Sequence, residues 1–250
     1  MPPYRPLLIA HRGDSADHPE NTHAAFSAAV AAGVDGIELD VRLTADDEVV
    51  VCHDGTLARF GGSLMPLSRI PWERLRDADV GGWFGKDFRG EHPPSLGDVL
   101  DRYARGTDLL IELKPPRSAA GAKRLCQRVV AEVAERRLHR QVMILCFDAA
   151  LLRQVRRLDD GLRVVLNTST RPRALERIAR EVDAIDIDRR RLTPEFARRC
   201  HDAGLKLFTW TCNNAKHLDH ALACGVDGVL SDRAPWLVDQ AARRLPPAVR

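Results

Sequence analysis

Charged residues interrupt every apolar stretch of this chain long before the roughly 20 residues that a membrane-spanning helix needs. Met1-Pro2-Pro3-Tyr4-Arg5-Pro6 leads straight into the first strand-like run without an apolar h-region. No signal peptide is therefore expected, and the expected location is cytoplasmic, without stable membrane association. No two of the six cysteines, at 52, 126, 146, 200, 212 and 224, form a C-x-x-C pair, and most fall within apolar strand or helix patterns. They read as reduced thiols packed as small hydrophobes. The net charge is only +3, and the one dense basic run, Arg189-Arg190-Arg191, comes with no RNA- or DNA-binding motif, so no nucleic-acid partner is expected. No glycine-rich phosphate loop follows the first strand, where His11-Arg12-Gly13-Asp14 stands instead, and this counts against an open doubly wound sheet.

What the 250 residues do contain is a regular alternation. Strand-like runs at 7–10, 36–43, 108–114, 142–147, 163–167, 184–188, 206–211 and 227–230 are each followed by a helix-like segment. Those segments span 21–32, 95–103, 119–137, 149–158, 173–180, 194–203, 215–224 and 236–244. The strands are short aliphatic runs, as expected for parallel strands covered on both faces. Asn21-Thr22 and Thr193-Pro194-Glu195 read as helix starts, and Gly33, Gly204 and Gly225 as C-terminal caps. Eight strand–helix units predict an α/β fold of the (β/α)8 type, a TIM barrel, as one domain over 1–250. Residues 55–94 break the alternation with Gly, Pro and the aromatics Trp72, Trp83, Phe84 and Phe88. They read as an ordered insertion after the second strand, expected over the barrel mouth.

The chemistry lies where apolar strands end. Alternate side chains of a strand share a face, so Glu38 and Asp40 point together, opposite Ile37, Leu39 and Val41. Glu112 and Lys114 share a face in the same way. With the 36–43 and 108–114 strands adjacent, Glu38, Asp40 and Glu112 meet at the mouth as a hard oxygen site suited to Mg²⁺ or Ca²⁺. The alternative is salt bridging to Arg12 and Lys114. His11 and His53 end runs that border the same region and can share acid and base roles. Arg12 and Lys114 are cations able to neutralise a phosphate, with ion pairing to the acids as the alternative. Trp210 ends its strand either as a pocket wall or as core packing.

Taken in order, His11-Arg12-Gly13, Pro19-Glu20-Asn21-Thr22, Glu38-x-Asp40, His53-Asp54, Glu112-Leu113-Lys114 and Trp210-Thr211-x-Asn213 resemble the glycerophosphodiester phosphodiesterase family over nearly the whole chain. The chain is most similar to the short cytoplasmic bacterial members. The resemblance implies a TIM barrel with a small insertion after the second strand. It implies metal-dependent hydrolysis of glycerophosphodiesters to sn-glycerol 3-phosphate and an alcohol. It implies His11 and His53 as the acid/base pair, Glu38, Asp40 and Glu112 as ligands of the divalent metal, and Arg12 and Lys114 on the phosphate. Trp210 and Phe147 are expected in the substrate pocket. Cys146-Phe147 stands where the family commonly has Ser-Phe, and Phe60-Gly61-Gly62 where a threonine-rich stretch is common. Both departures bear on the alcohol preference. A lysophospholipase D or sphingomyelinase D-like activity is the rival, and it requires an apolar groove that the insertion would have to supply. A non-catalytic phosphodiester-binding barrel needs no histidine pair. The sequence leaves open the head-group alcohol, Mg²⁺ against Ca²⁺, water against a cyclic-phosphate route, and the oligomeric state.

Overall fold

Each barrel strand sends alternate side chains into two separate apolar compartments. A computed structural model describes residues 5–116 and 118–245. Residues 1–4 of the N-terminal segment and 246–250 of the expected 1–250 domain lie outside that range. In chain order the main elements are β1 (Leu7–His11), α1 (His23–Ala32), β2 (Gly36–Leu43), β3 (Val49–Val51), α2 (Trp72–Leu75) and α3 (Leu96–Tyr103). Then come β4 (Asp108–Leu113), α4 (Ala119–Glu135), β5 (Val142–Cys146), α5 (Ala149–Leu158), β6 (Arg163–Thr168) and α6 (Leu175–Ile178). The chain closes with β7 (Ala184–Asp188), α7 (Pro194–Asp202), β8 (Lys206–Trp210), α8 (Ala215–Cys224), β9 (Gly228–Ser231) and α9 (Ala234–Arg244).

The sheet order is β1-β9-β8-β7-β6-β5-β4-β2, and parallel pairing of β1 with β2 closes it into the expected eight-stranded barrel. Leu8, Ala10, Ile37, Leu39, Leu109, Ile111, Ile144, Val164, Ile185, Leu207 and Val229 face outward and pack with α1, α4, α5, α7, α8 and α9. Their neighbours Ile9, Leu110, Met143, Leu145, Val165, Ala184, Phe208 and Leu230 fill the barrel interior. One residue on along the inward rows, hydrocarbon gives way to His11, Glu38, Glu112, Asn167, Asp186 and Trp210 at the C-terminal strand ends. The strand period thus lays an apolar plug below and a polar cup above.

Several expectations are refined. β3 stays outside the barrel, antiparallel to the upper part of β2 with Val51 opposite Val41. The chain therefore turns back toward the mouth, and Cys52 N donates to the Asp40 carbonyl at 2.9 Å, leaving His53 beside Asp40. Thr22, not Asn21, caps α1, with its hydroxyl accepting from Ala25 N. The segment expected as a helix over 173–180 forms only the single turn of α6, whose flanking Ala174 offers no side-chain acceptor. Gly33, Gly204 and Gly225 all take positive φ, as the cap reading requires. All six cysteines are free and buried. Among the described residues no helix is long and apolar enough to cross a membrane.

The insertion is ordered, but it does not cover the mouth. Leu57, Leu67, Ile70, Leu75 and Val80 join Val50 and Cys52 in a separate apolar cluster. A run of ring contacts, Phe60–Trp83, Trp83–Phe84 and Phe84–Phe88, at 5.9, 5.7 and 5.5 Å between ring centroids, extends along it. None of residues 55–94 lines the barrel cavity. With a core of its own beside β3, the insertion is held without packing on the mouth, and Leu64, Met65 and Trp83 stay exposed.

The turn after β1 depends on Gly13. It adopts φ +82°, and a Cβ there would lie 2.7 Å from the Ala25 carbonyl carbon. Gly13→Ala combines left-handed strain with overpacking against backbone and is expected to lower stability by about 2–4 kcal/mol. A denaturant titration shifted by less than about 0.5 kcal/mol, the range of a neutral surface change, would contradict this.

Candidate active site

A cavity of about 180 Å³ opens at the C-terminal ends of the strands, lined by His11, Arg12, Glu38, His53, Glu112, Lys114, Phe147, Asn167, Asp186, Trp210 and Leu230. Every residue singled out from the sequence lines this cavity except Asp40, which lies directly behind it. Asp40 has no solvent exposure and Glu38 only 1%. Glu38, Asp40 and Glu112 each bring one oxygen within 4.8 Å of the others.

Charge is dense and only partly compensated. Lys114 Nζ lies 2.5 Å from Glu112 Oε1 and 3.1 Å from Asp40 Oδ1. Arg12 Nε lies 3.2 Å from Asp40 Oδ2, and Arg12 Nη1 donates to Glu20 Oε1 at 3.0 Å. The Asp40 contacts are out of line for hydrogen bonds: Arg12 Nε, Asp40 Oδ1 and Glu38 Oε1 are buried without a hydrogen-bond partner among the described residues. Burial pushes the Glu38 carboxyl well above the usual carboxylate range, and repulsion from Asp40 and Glu112 adds to it. Glu112 is likewise raised by burial, only partly offset by Lys114. For Asp40, burial is outweighed by Arg12, Lys114 and His53, which hold it at about 2. Three carboxyls this close cannot all ionise comfortably against two cations. The orphaned oxygens and the all-oxygen donor set fit a hard divalent cation, so ion pairing and metal binding coexist in one arrangement.

The fold presents both histidines in the same way. His11 Nδ1 donates to Asp232 Oδ1 at 2.6 Å, and Nε2 lies 3.9 Å from Glu38 Oε2 inside the cavity. His53 Nδ1 donates to Asp54 Oδ1 at 2.8 Å, while its carbonyl accepts from Arg42 Nε and Nη2 at 2.9 and 2.6 Å. A carboxylate on Nδ1 selects the tautomer with a free Nε2. Burial lowers the His53 pKa from the ordinary 6.5, with Asp40 opposing and Arg12 adding to the effect. Arg59 of the insertion donates to Asp54 at 2.7 Å and to Glu20 at 2.6 Å, so it braces the partners of both His53 and Arg12. Its guanidinium rests on Phe60 and Trp83, 4.8 and 4.9 Å from the ring centroids. This brace is what the insertion contributes to the site. Arg12 has φ +58°, which turns its N–H onto Glu38, at 2.9 Å to the carbonyl and 3.1 Å to Oε2. Asn21 clamps Asp40, with Nδ2 donating to Oδ2 at 2.8 Å and Oδ1 accepting from Asp40 N at 3.2 Å.

Trp210 and Phe147 meet edge to face at 6.1 Å and form the apolar side of the cavity, so Trp210 walls the pocket while packing on the inner core. Three polar residues in or beside the cavity had not been singled out from the sequence. Asp232 follows β9 and is held by Asn213 Nδ2 at 2.5 Å. Asn167 and Asp186 stand opposite each other on β6 and β7. Ile185-Asp186-Ile187-Asp188 repeats the acid alternation of Ile37-Glu38-Leu39-Asp40, a signal that would have flagged it.

Residues 11–235 match the family model described as the glycerophosphoryl diester phosphodiesterase family. The chain belongs to that family. The glycerophosphodiester phosphodiesterase of Caldanaerobacter subterraneus subsp. tengcongensis is 31% identical, over 93% of this chain and 96% of that protein. Among solved structures, an Oleispira antarctica phosphodiesterase in complex with the product sn-glycerol-3-phosphate superposes with TM-score 0.86 at 25% identity, covering 94% of this chain and 96% of that one. A glycerophosphodiester phosphodiesterase from Agrobacterium tumefaciens shares the fold, with TM-score 0.81 at 24% identity over 94% of this chain and 99% of that one. Family members thus surround the chain in sequence and in fold. The cavity carrying His11, Glu38, His53 and Glu112 lies within the matched span.

Proposed function

We propose that the protein hydrolyses glycerophosphodiesters to sn-glycerol 3-phosphate and an alcohol by divalent-metal-assisted two-histidine catalysis. The observation that carries this reading is one small cavity holding two carboxylate-oriented imidazoles, three acids and two cations. Arg12 and Lys114 bind the phosphate and stabilise the charge that builds on it in the transition state. Glu38, Asp40 and Glu112 hold the cation, Mg²⁺ or Ca²⁺. When bound, it supplies further neutralisation and polarises the phosphoryl oxygens. His53 takes the proton of the attacking oxygen through Nε2, because burial favours its neutral, proton-accepting form. His11 supplies the proton to the leaving alkoxide, with Asp232 fixing its ring. The attacking oxygen belongs to water or to the substrate's own glycerol hydroxyl.

A cavity of about 180 Å³ is below the roughly 300–1,000 Å³ of drug-sized ligand pockets. It suits a small polar diester; the acyl chain of a lysophospholipid would instead have to lie in the neighbouring cavity of about 660 Å³ that shares Lys114 and is lined by Gly55, Thr56 and Pro66 of the insertion. The lone apolar side is Phe147, Trp210 and Leu230. We also propose a single catalytic domain acting on small molecules in the cytoplasm. Six free buried thiols are consistent with a reducing compartment.

A product assay tests the reading. Glycerophosphocholine and glycerophosphoethanolamine incubated with enzyme and either Mg²⁺ or Ca²⁺ are expected to release sn-glycerol 3-phosphate. Release of a phosphorylated head group instead, or turnover of lysophosphatidylcholine in preference, would overturn it. A cyclic glycerophosphate detected early in the time course would identify the glycerol hydroxyl as attacker.

A further inference from the structure

We infer that Asn167 and Asp186 form a hydroxyl-binding wall that holds the free diol of the glycerol moiety and so sets the enzyme's preference for glycerol over other phosphate esters. This deepens the proposed function and rests on it. The two residues are register partners on adjacent parallel strands. Each follows by two positions a residue of the inner apolar cluster, Val165 and Ala184, so both side chains enter the barrel interior. Both line the cavity at 3% and 1% exposure. Asn167 Oδ1 and Asp186 Oδ1 are buried and have no hydrogen-bond partner among the described residues.

A polar group buried without a partner is costly unless a ligand completes it. The missing partner must be a donor, because both orphaned atoms are acceptor oxygens. That excludes the phosphate, whose oxygens only accept. The phosphate also has its own wall across the barrel, where β1, β2 and β4 bring His11, Arg12, Glu38, Glu112 and Lys114. The quaternary ammonium of choline has no N–H to offer. A vicinal diol presents two donors on adjacent carbons, which matches two acceptors on neighbouring strands. Trp210 and Phe147 border the same space and offer apolar faces to the glycerol carbons.

The test compares calorimetric binding of sn-glycerol 3-phosphate and n-propyl phosphate, which share the phosphate and differ in the diol. Wild type is expected to prefer the glycerol ester by at least about tenfold. In Asn167→Leu and Asp186→Leu the preference should fall to within about threefold of unity while propyl phosphate binds as before. Asp186→Asn, which keeps the acceptor oxygen, should retain it. Both leucine variants remove an orphaned buried group at similar volume, so their thermal midpoints should not fall, and lost preference then reports recognition, not unfolding. Equal affinities in wild type, or leucine variants with the full preference, would overturn the assignment. So would a KM rise seen with glycerophosphoglycerol and absent with glycerophosphocholine, because that places the diol in the leaving alcohol. A wild type that discriminates the two esters yet hydrolyses no glycerophosphodiester would uphold this site and defeat the proposed function.

Discussion

Replacing His53 with alanine is expected to lower kcat/KM for glycerophosphocholine by roughly 10²–10⁴-fold, and His11→Ala by a similar factor. Each imidazole reaches the cavity through Nε2 because a carboxylate holds its Nδ1, Asp232 for His11 and Asp54 for His53. The substitutions should spare substrate binding, because Arg12 and Lys114 still face the phosphate. The loss should therefore fall mainly on kcat, with KM changed by less than about threefold. The pH profile adds a sign. Burial lowers the His53 pKa below 6.5, and a bound divalent cation nearby pushes it the same way. As the base, His53 must be neutral, so activity is lost as pH falls through its own pKa and is retained above it. The acid limb of kcat/KM in wild type should lie below pH 6.5 and disappear in His53→Ala. Near-wild-type turnover in either alanine variant would remove that histidine from catalysis. An acid limb that survives in His53→Ala would assign the base elsewhere.

Chelation should have an equally large effect. Dialysis against EDTA is expected to reduce activity by at least about 10³-fold, with recovery on adding Mg²⁺ or Ca²⁺. The physical reason is the acid cluster itself. Glu38 and Glu112 are pushed toward their neutral forms by burial and mutual repulsion, and Glu38 Oε1 and Asp40 Oδ1 lack hydrogen-bond partners. A dication removes both penalties at once. Glu38→Gln separates the roles. Because the Glu38 carboxyl already leans to its neutral form, the amide should leave the metal-free fold about as stable, within about 0.5 kcal/mol. Its cation affinity, read by calorimetry, should drop at least about 10–100-fold. Full activity in EDTA would eliminate the metal. Unchanged cation affinity in Glu38→Gln would move the site off this trio.

Much of this was legible in one dimension. Eight aliphatic runs announced the barrel, since a parallel strand covered on both faces must be apolar throughout. The acids that broke the rule, Glu38, Asp40 and Glu112, stood out for the same reason. Their shared faces followed from the two-residue period. Asp186 broke the rule in the same way inside Ala184-Ile185-Asp186-Ile187-Asp188, but no histidine stood near it in sequence and the basic run Arg189-Arg190-Arg191 follows it directly. The insertion was legible as ordered from its aromatics, and its position was not, because a segment with its own apolar cluster is free to pack beside the mouth.

The sequence by itself determined the eight barrel strands, the inward rows and most of the chemical inventory of the site, because these depend on local periodicity and residue type. Only the tertiary structure decided which charges meet. Asp232 lies 221 residues from His11, yet closure of β9 onto β1 brings them to 2.6 Å. Arg59 reaches Glu20 and Asp54 only because the insertion folds back on β3. Asn167 and Asp186 become a pair only through the β6–β7 register. Long-range pairing of this kind is set by how the sheet closes, and no spacing along the chain encodes that distance.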